Sequence, residues 1–291
     1  MSYDQYESSR QLGIPIQLFK FKYGSAANAC YTYTDAEEPL TYDDGLGDGP
    51  KVYEPIAIMR GSINSSGTLD KSKLELRIDK DTEIGALYRG YPPSYIVTLT
   101  IRAHHIGDTE YPIIWSGIVR GGGPAEGEIV LTCEPISTQM KRTGLRRHYQ
   151  YGCPHVLYGI GKGLCNADKD AATYTGTVAS ATNTTLTLDA GWNGSIAAAK
   201  FAGGILEWTN DDGNLEIRMI NSASGTTLNV KGVLRDIHAG NTVSVILGCA
   251  HNEDDCQNLH VEKDVGGPNI NNFGGQSWIP TENPVAKNQS Y

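Results

Sequence analysis

No apolar run in this chain approaches the roughly 18–20 residues that a membrane-spanning helix requires, so membrane insertion is not expected. Long alanine- and leucine-rich windows are also missing, which removes the helical-bundle classes. There is no basic stripe. Lys141-Arg142 and Arg146-Arg147 form only a short local cluster on a chain of formal charge -9, and direct nucleic-acid recognition is therefore not expected. The first residues, Met1-Ser-Tyr-Asp-Gln-Tyr-Glu, lack the basic and apolar regions of a secretory leader, so folding in the cytoplasm is expected. A secreted, disulfide-bonded adhesin is then the weaker reading of the six cysteines. Catalytic signatures are missing too: there is no Gly-x-Ser-x-Gly elbow and no His-Glu-x-x-His. Gly159-Ile-Gly161-Lys162-Gly163 lacks the Gly-Lys-Ser/Thr ending of a phosphate loop. No catalytic residue is nominated, and an enzyme is not expected.

What is present is the composition of a folded, turn-rich protein: 39% hydrophobic, 20% charged, 34 glycines and 16 tyrosines in 291 residues. That length accommodates two domains, and the pattern predicts a mainly β fold. Residues 1–14 read as a flexible arm. Residues 15–137 read as a barrel-like β domain with one short helix. Its strands are expected from Pro15, at Tyr53–Arg60, Lys73–Ile78, Tyr95–His104, Ile113–Val119 and Glu128–Glu134, with a turn at Gly121-Gly122-Gly123-Pro124 between the last two. The helix is placed at Asp81–Tyr88, capped by Asp81 or Thr82, with Ile84, Leu87 and Tyr88 on one face.

Residues 138–268 read as a second, smaller module. Six short strands are predicted at Thr173–Val178, Thr184–Leu188, Gly204–Asn210, Asn214–Asn221, Thr226–Val230 and Thr242–Leu247, with turns at Asp211-Asp212-Gly213 and Ala223-Ser224-Gly225. Such a run forms a small antiparallel barrel or sandwich. Residues 269–291 read as an extended arm or a loop-like wrap.

A cysteine pair flanks each end of that module: Cys153 and Cys165 before it, Cys249 and Cys256 after it. If the four sulfurs converge, they staple the module shut. Structural zinc sites usually draw two sulfurs from one tight Cys-x2–4-Cys knuckle, and neither pair has that spacing. Wider spacing is compatible with a [4Fe–4S] cube, with zinc as the alternative. Spacing alone also leaves buried free thiols and disulfides open. Cys30 and Cys133 fall in strands and read as core. His155 and His251, each two residues after a cysteine, read as supporting groups rather than ligands. His104 and His105 are neighbours on a strand, point to opposite faces and cannot share an ion. The pairs Asp211-Asp212 and Asp254-Asp255 read as solvated turns.

Several of these segments together resemble a known family. Tyr151-Gly-Cys153, Leu157-Tyr158-Gly159, Leu164-Cys165-Asn166-Ala167-Asp168, Phe201-Ala-Gly-Gly204-Ile-Leu-Glu-Trp208, Leu247-Gly248-Cys249-Ala-His251, Cys256, and Phe273-Gly274-Gly275 to Ile279-Pro280 occur in the order found in tail-tip or baseplate hub proteins of long-tailed phages. That family includes the phage lambda tail-tip protein L and the hub of gene transfer agents. The resemblance covers roughly residues 150–285 and is looser before that. It implies a [4Fe–4S] cluster on Cys153, Cys165, Cys249 and Cys256. It also implies a homotrimeric hub ring in the virion tail tip, among other baseplate proteins, joining the distal tail ring to the central fibre or tip protein. The competing class is an iron–sulfur redox protein or electron carrier.

Overall fold

The computed structural model describes residues 3–9, 13–23, 29–45, 47–63, 73–140, 148–211 and 213–280. Two compact units are present: Met1–Arg142 with Asp211–Glu216, and Thr143–Asn210 with Ile217–Tyr291. Lys141-Arg142, Arg146-Arg147, Asp212 and residues 281–291 lie outside the described residues.

The first unit begins with a short helix, α1 (Tyr3–Glu7), followed by strands β1 (Pro15–Tyr23), β2 (Cys30–Thr34), β3 (Leu40–Tyr42), β4 (Lys51–Pro55), β5 (Ile58–Arg60) and β6 (Leu74–Asp79). Helix α2 (Glu83–Tyr88) precedes β7 (Val97–His105), β8 (Ile113–Ala125) and β9 (Glu128–Pro135). All nine strands join in one sheet of order β3-β4-β2-β1-β7-β8-β9-β6-β5. Among the described residues the sheet is open rather than barrel-like. Its end strands, β3 and β5, are three residues long, too short to carry a closing ladder.

Alternation builds the core as expected. Along β6, Leu74, Leu76 and Ile78 are buried while Glu75 and Arg77 are exposed. They join Phe19, Phe21, Leu99, Ile101 and Leu131 in one cluster. Each such side chain, fully buried, contributes about 1.5–3 kcal/mol. Thr82 caps α2, its hydroxyl accepting from the Gly85 N–H at 3.1 Å, and Ile84, Leu87 and Tyr88 face the sheet side of the core.

Two expectations are corrected. The single strand Tyr53–Arg60 is two strands: β4, ending at Pro55, pairs with β2 and β3, and β5 pairs with β6. The glycine run is not a turn. Strand β8 continues through Gly121–Gly123, and the reversal falls at Glu126 (φ 50°) and Gly127 (φ 94°). Gly122 suits its place: a Cβ would lie 2.7 Å from Leu131 Cδ2 and 3.0 Å from Tyr88 Cβ, so a larger residue would press on the side chains by which α2 approaches. Within the stretch read as a flexible arm, α1 is helical and held at His105. Glu7 meets the imidazole Nε2 at 3.1 Å and Tyr6 stacks on the ring.

The second unit contains β10 (Thr173–Ala181), β11 (Thr185–Leu188), β12 (Ile205–Thr209), β13 (Leu215–Ser224), β14 (Thr227–Lys231), β15 (Thr242–Ile246) and helix α3 (Glu253–Asn258). The six strands form a closed barrel of order β10-β11-β14-β13-β12-β15. All six predicted strands are present. Leu186, Leu188, Phe201, Leu206, Ile220, Leu228, Val243 and Val245 fill the interior. Closure removes the sheet edges, and it brings the start of β10 beside the end of β15, where Thr173 pairs with Ile246. The cysteine loops leave from this end. Among the described residues, no helix is long and apolar enough to cross a membrane.

Candidate metal centre

All four nominated cysteines belong to the second unit. Cys153 and Cys165 lie in the irregular segment before β10, Cys249 in the loop after β15, and Cys256 on α3. The two loops are bonded directly: the Cys153 N–H donates to the His251 carbonyl at 2.8 Å, and His251 Nδ1 lies 3.0 Å from the Cys153 carbonyl. A carbonyl only accepts, so His251 carries its proton on Nδ1. Gly204 and Gly248 pass so close to neighbouring backbone that a Cβ at either would collide with a carbonyl, which lets the segment leading to Cys249 lie flat on residues 202–204.

Helix α3 is set by its own cap. Asn252 accepts from the Asp255 N–H at 2.8 Å. The Asp255 carboxylate, expected to be solvated, is buried instead. It accepts from the Ala250 N–H at 2.7 Å and from the Lys200 ammonium at 2.8 Å. Burial opposes its ionisation, but Lys200 and the Ala250 amide outweigh that, and its pKa falls below the ordinary value. This places a fixed anion one residue before Cys256.

The sulfurs sit within each other's electrostatic reach. Burial, followed by the charges of Cys249, Cys153 and Cys165, pushes the Cys256 thiol up to about 12. Burial, with Asp255, Cys165 and Cys153 adding to it against the His251 N–H, pushes Cys249 up to about 11. Cys249 and Cys256 therefore resist ionising, and an added positive charge would favour their thiolates. Donors to sulfur are already in place. The His251 N–H lies 3.3 Å from Cys249 Sγ, the Gly274 N–H 3.4 Å from Cys153 Sγ, and the Asn269 amide nitrogen 3.9 Å from Cys165 Sγ. Three buried thiols and one half-exposed thiol, three of the four approached by N–H groups, form a donor set of the kind that holds a thiolate-bound iron–sulfur group. Among the described residues, no group of three or more Cys, His, Asp or Glu side chains is gathered as a metal site, for zinc or for iron.

All six cysteines are free thiols, which counts against the disulfide-bonded reading. Cys30 and Cys133 lie on β2 and β9 of the first unit, away from the quartet in sequence and in unit. Burial alone pushes Cys133 up to about 12. His155 is buried, with Nδ1 on the Asn272 carbonyl at 3.0 Å. His104 and His105 find separate partners, Glu110 O and Glu7. The glycine-rich segment folds back on Asn166, whose side chain accepts from the Gly161 N–H at 2.8 Å and donates to the Gly161 carbonyl at 3.0 Å.

Sequence reasoning missed three supports of this site. Asn269 is fully buried and donates to the Cys165 carbonyl at 2.9 Å. His260 lies 3.0 Å from the Gly248 carbonyl, and the Tyr158 hydroxyl donates to the Leu247 carbonyl at 2.7 Å, so both hold the backbone before Cys249. The third is the Lys200–Asp255 pair. Only Tyr158 and the segment around Gly274 carried a signal, through the motifs that contain them.

Residues 199–283 match a protein family described as "Phage conserved hypothetical protein BR0599". This stretch holds Cys249, Cys256 and the Phe273-Gly274-Gly275 element. The whole fold is similar to a chain in the solved structure "Virion of native gene transfer agent (GTA) particle". The TM-score is 0.70 at 16% identity, covering 100% of this chain and 97% of that one. The fold is one that a gene transfer agent virion uses. A comparison with curated proteins gives no significant match.

Proposed function

We propose that this chain is a structural, non-enzymatic protein of a phage-type particle. In this reading it forms a homotrimeric hub ring at the tail tip and joins the distal tail ring to the central fibre or tip protein. The observation that carries the reading is the fold likeness to a virion chain along the full length, together with the phage family match that spans the second cysteine pair.

Cys153, Cys165, Cys249 and Cys256 would hold a [4Fe–4S] cluster. When bound, the cluster supplies positive charge that favours the thiolates, and it covalently ties the loop before the barrel to the loop after it. The chain's own contribution is to bury three of the four cysteines, donate N–H groups to sulfur, and hold α3 through the Asn252 cap. A metal tie of this kind contributes on the order of 10 kcal/mol to folding in zinc domains, and a cluster acts in the same sense.

The test is anaerobic purification followed by assays of iron, acid-labile sulfide and zinc, with a visible spectrum. About four irons and four sulfides per chain, with broad absorption near 400 nm, support the cluster. One zinc in a colourless protein replaces the metal. The half-exposed position of Cys249 favours a second reading, an electron carrier. Reversible cycling with a soluble partner would establish that one, whereas the hub reading requires a cluster that cycles poorly and tails that lack tips without it.

A further inference from the structure

The segment after α3 turns back over the cysteines. Asn269 begins a 3-10 helix, Asn269–Asn272, and its amide reaches both the carbonyl and the sulfur of Cys165. Five residues on, the Gly274 N–H points at Cys153 Sγ. Beyond it, the Gln276 N–H donates to the Gln150 carbonyl at 2.9 Å, and the Ser277 hydroxyl to Glu253 at 2.7 Å. One nine-residue stretch thus fastens to the Cys153 loop, to Cys165 and to α3, the carriers of three of the four sulfurs.

His155 is the fastening point in the middle. Its Nδ1 lies on the Asn272 carbonyl, so Nδ1 is the protonated nitrogen. Its ring lies against Gly274, where a Cβ would come within 2.5 Å of Cε1 and Nε2. Gly274 has no positive φ, so glycine is needed there for space rather than for backbone freedom. A cavity of ≈ 200 Å³ borders both His155 and Gly274.

We infer that residues 269–277 form a strap that closes over the cysteine site, with Asn269 and Gly274 positioning the Cys165 and Cys153 sulfurs and His155 latching it. The inference rests on the cluster reading above. N–H groups aimed at thiolate sulfur stabilise the more negative, reduced cluster and so raise its midpoint potential. A strap held by side-chain bonds to loops on both sides must open before iron can leave. Asn269, Gly274 and His155 are positioning residues; none is a ligand.

The test compares anaerobically purified wild type with Asn269→Asp, Gly274→Ala and the double variant Gly274→Ala/His155→Ala. Three quantities are read: iron and sulfide per chain, the midpoint potential, and the rate at which a ferrous chelator strips iron. Gly274→Ala is expected to lose iron roughly 10- to 100-fold faster, the range typical for outer partners of a metal site. Asn269→Asp is expected to keep its iron and shift the midpoint to a more negative value. In the double variant the ring that the new methyl strikes is gone, but so is the latch to Asn272, so iron loss stays faster than in wild type. Full iron content with unchanged midpoint and stripping rate in both single variants would overturn the strap and leave the cluster standing. Wild type free of iron and sulfide would overturn the cluster reading and the strap together.

Discussion

The ammonium of Lys200 lies 2.8 Å from the carboxylate of Asp255, a pair that joins the segment before β12 to the helix carrying Cys256. Asp255 is buried and also accepts from Ala250, so removing it strands an amide. Asp255→Ala is expected to destabilise the second unit by about 1–3 kcal/mol, the cost of a buried group left unsatisfied. Lys200→Met leaves that buried carboxylate with the Ala250 amide alone and should cost a similar amount. Urea denaturation checks both. Equal midpoints for Asp255→Ala and wild type would show that the carboxylate does not hold the loop.

Cys249→Ser should abolish bound iron while leaving the β circular dichroism of the first unit. In a particle assembled from that variant, capsids should form while tails lack tips. Cys30→Ser should leave metal content unchanged, because Cys30 lies on β2 of the other unit. Metal lost on replacing Cys30 would show that the quartet is wrongly chosen.

Acid sensitivity of the first unit should trace to Asp48. Hydrogen bonds from Lys20 first and then Lys22 hold its carboxyl down to about 2, against an ordinary 3.8. The folded value lies below the unfolded one, so between them the unfolded chain binds more protons. The contribution is complete above about pH 4 and is lost as pH falls toward about 2. Asp48→Asn should flatten that limb of the stability profile. An unchanged acid limb in the variant would place the sensitivity elsewhere.

Gly122→Ala tests the seat of α2. Its methyl would strike Leu131 and Tyr88, and overpacking of this kind costs about 1–3 kcal/mol. Gly123→Ala, where nothing lies within reach of a Cβ, is the matched control and should stay near wild type. Thermal melts of the pair give the answer.

The barrel was legible because its signals are local. Alternation over four to ten residues, broken at Gly213 (φ 81°) and Gly225 (φ 56°), marks each strand and turn without reference to distant chain. The nine-stranded sheet was not legible to the same degree. Its order depends on β1 meeting β7 and β6 meeting β9, pairings set by side-chain packing far apart in sequence. The glycine run misled for a related reason: Gly121–Gly123 resembles a turn locally, and the approach of Tyr88, which glycine suits at Gly122, comes from outside the run. At the cysteine site the identities could be read, but their supports could not. The Gly274 N–H reaches Cys153 across 121 residues, and the Asn269 amide reaches Cys165 across 104. No spacing rule announces such bonds.

The pairing of Thr173 with Ile246 has a mechanical consequence. The chain runs into β10 and out of β15 at the same end, so tension on the two flanking loops pulls these strands apart like a zipper, one hydrogen bond after another, and a zipper yields to small forces. The first tooth is the bond from the Leu247 N–H to the Ala172 carbonyl, at 3.1 Å. Ahead of it stand the mutual bonds of Cys153 and His251. A tie among the four sulfurs, as proposed above, would sit at the slider and take the load before the first tooth does.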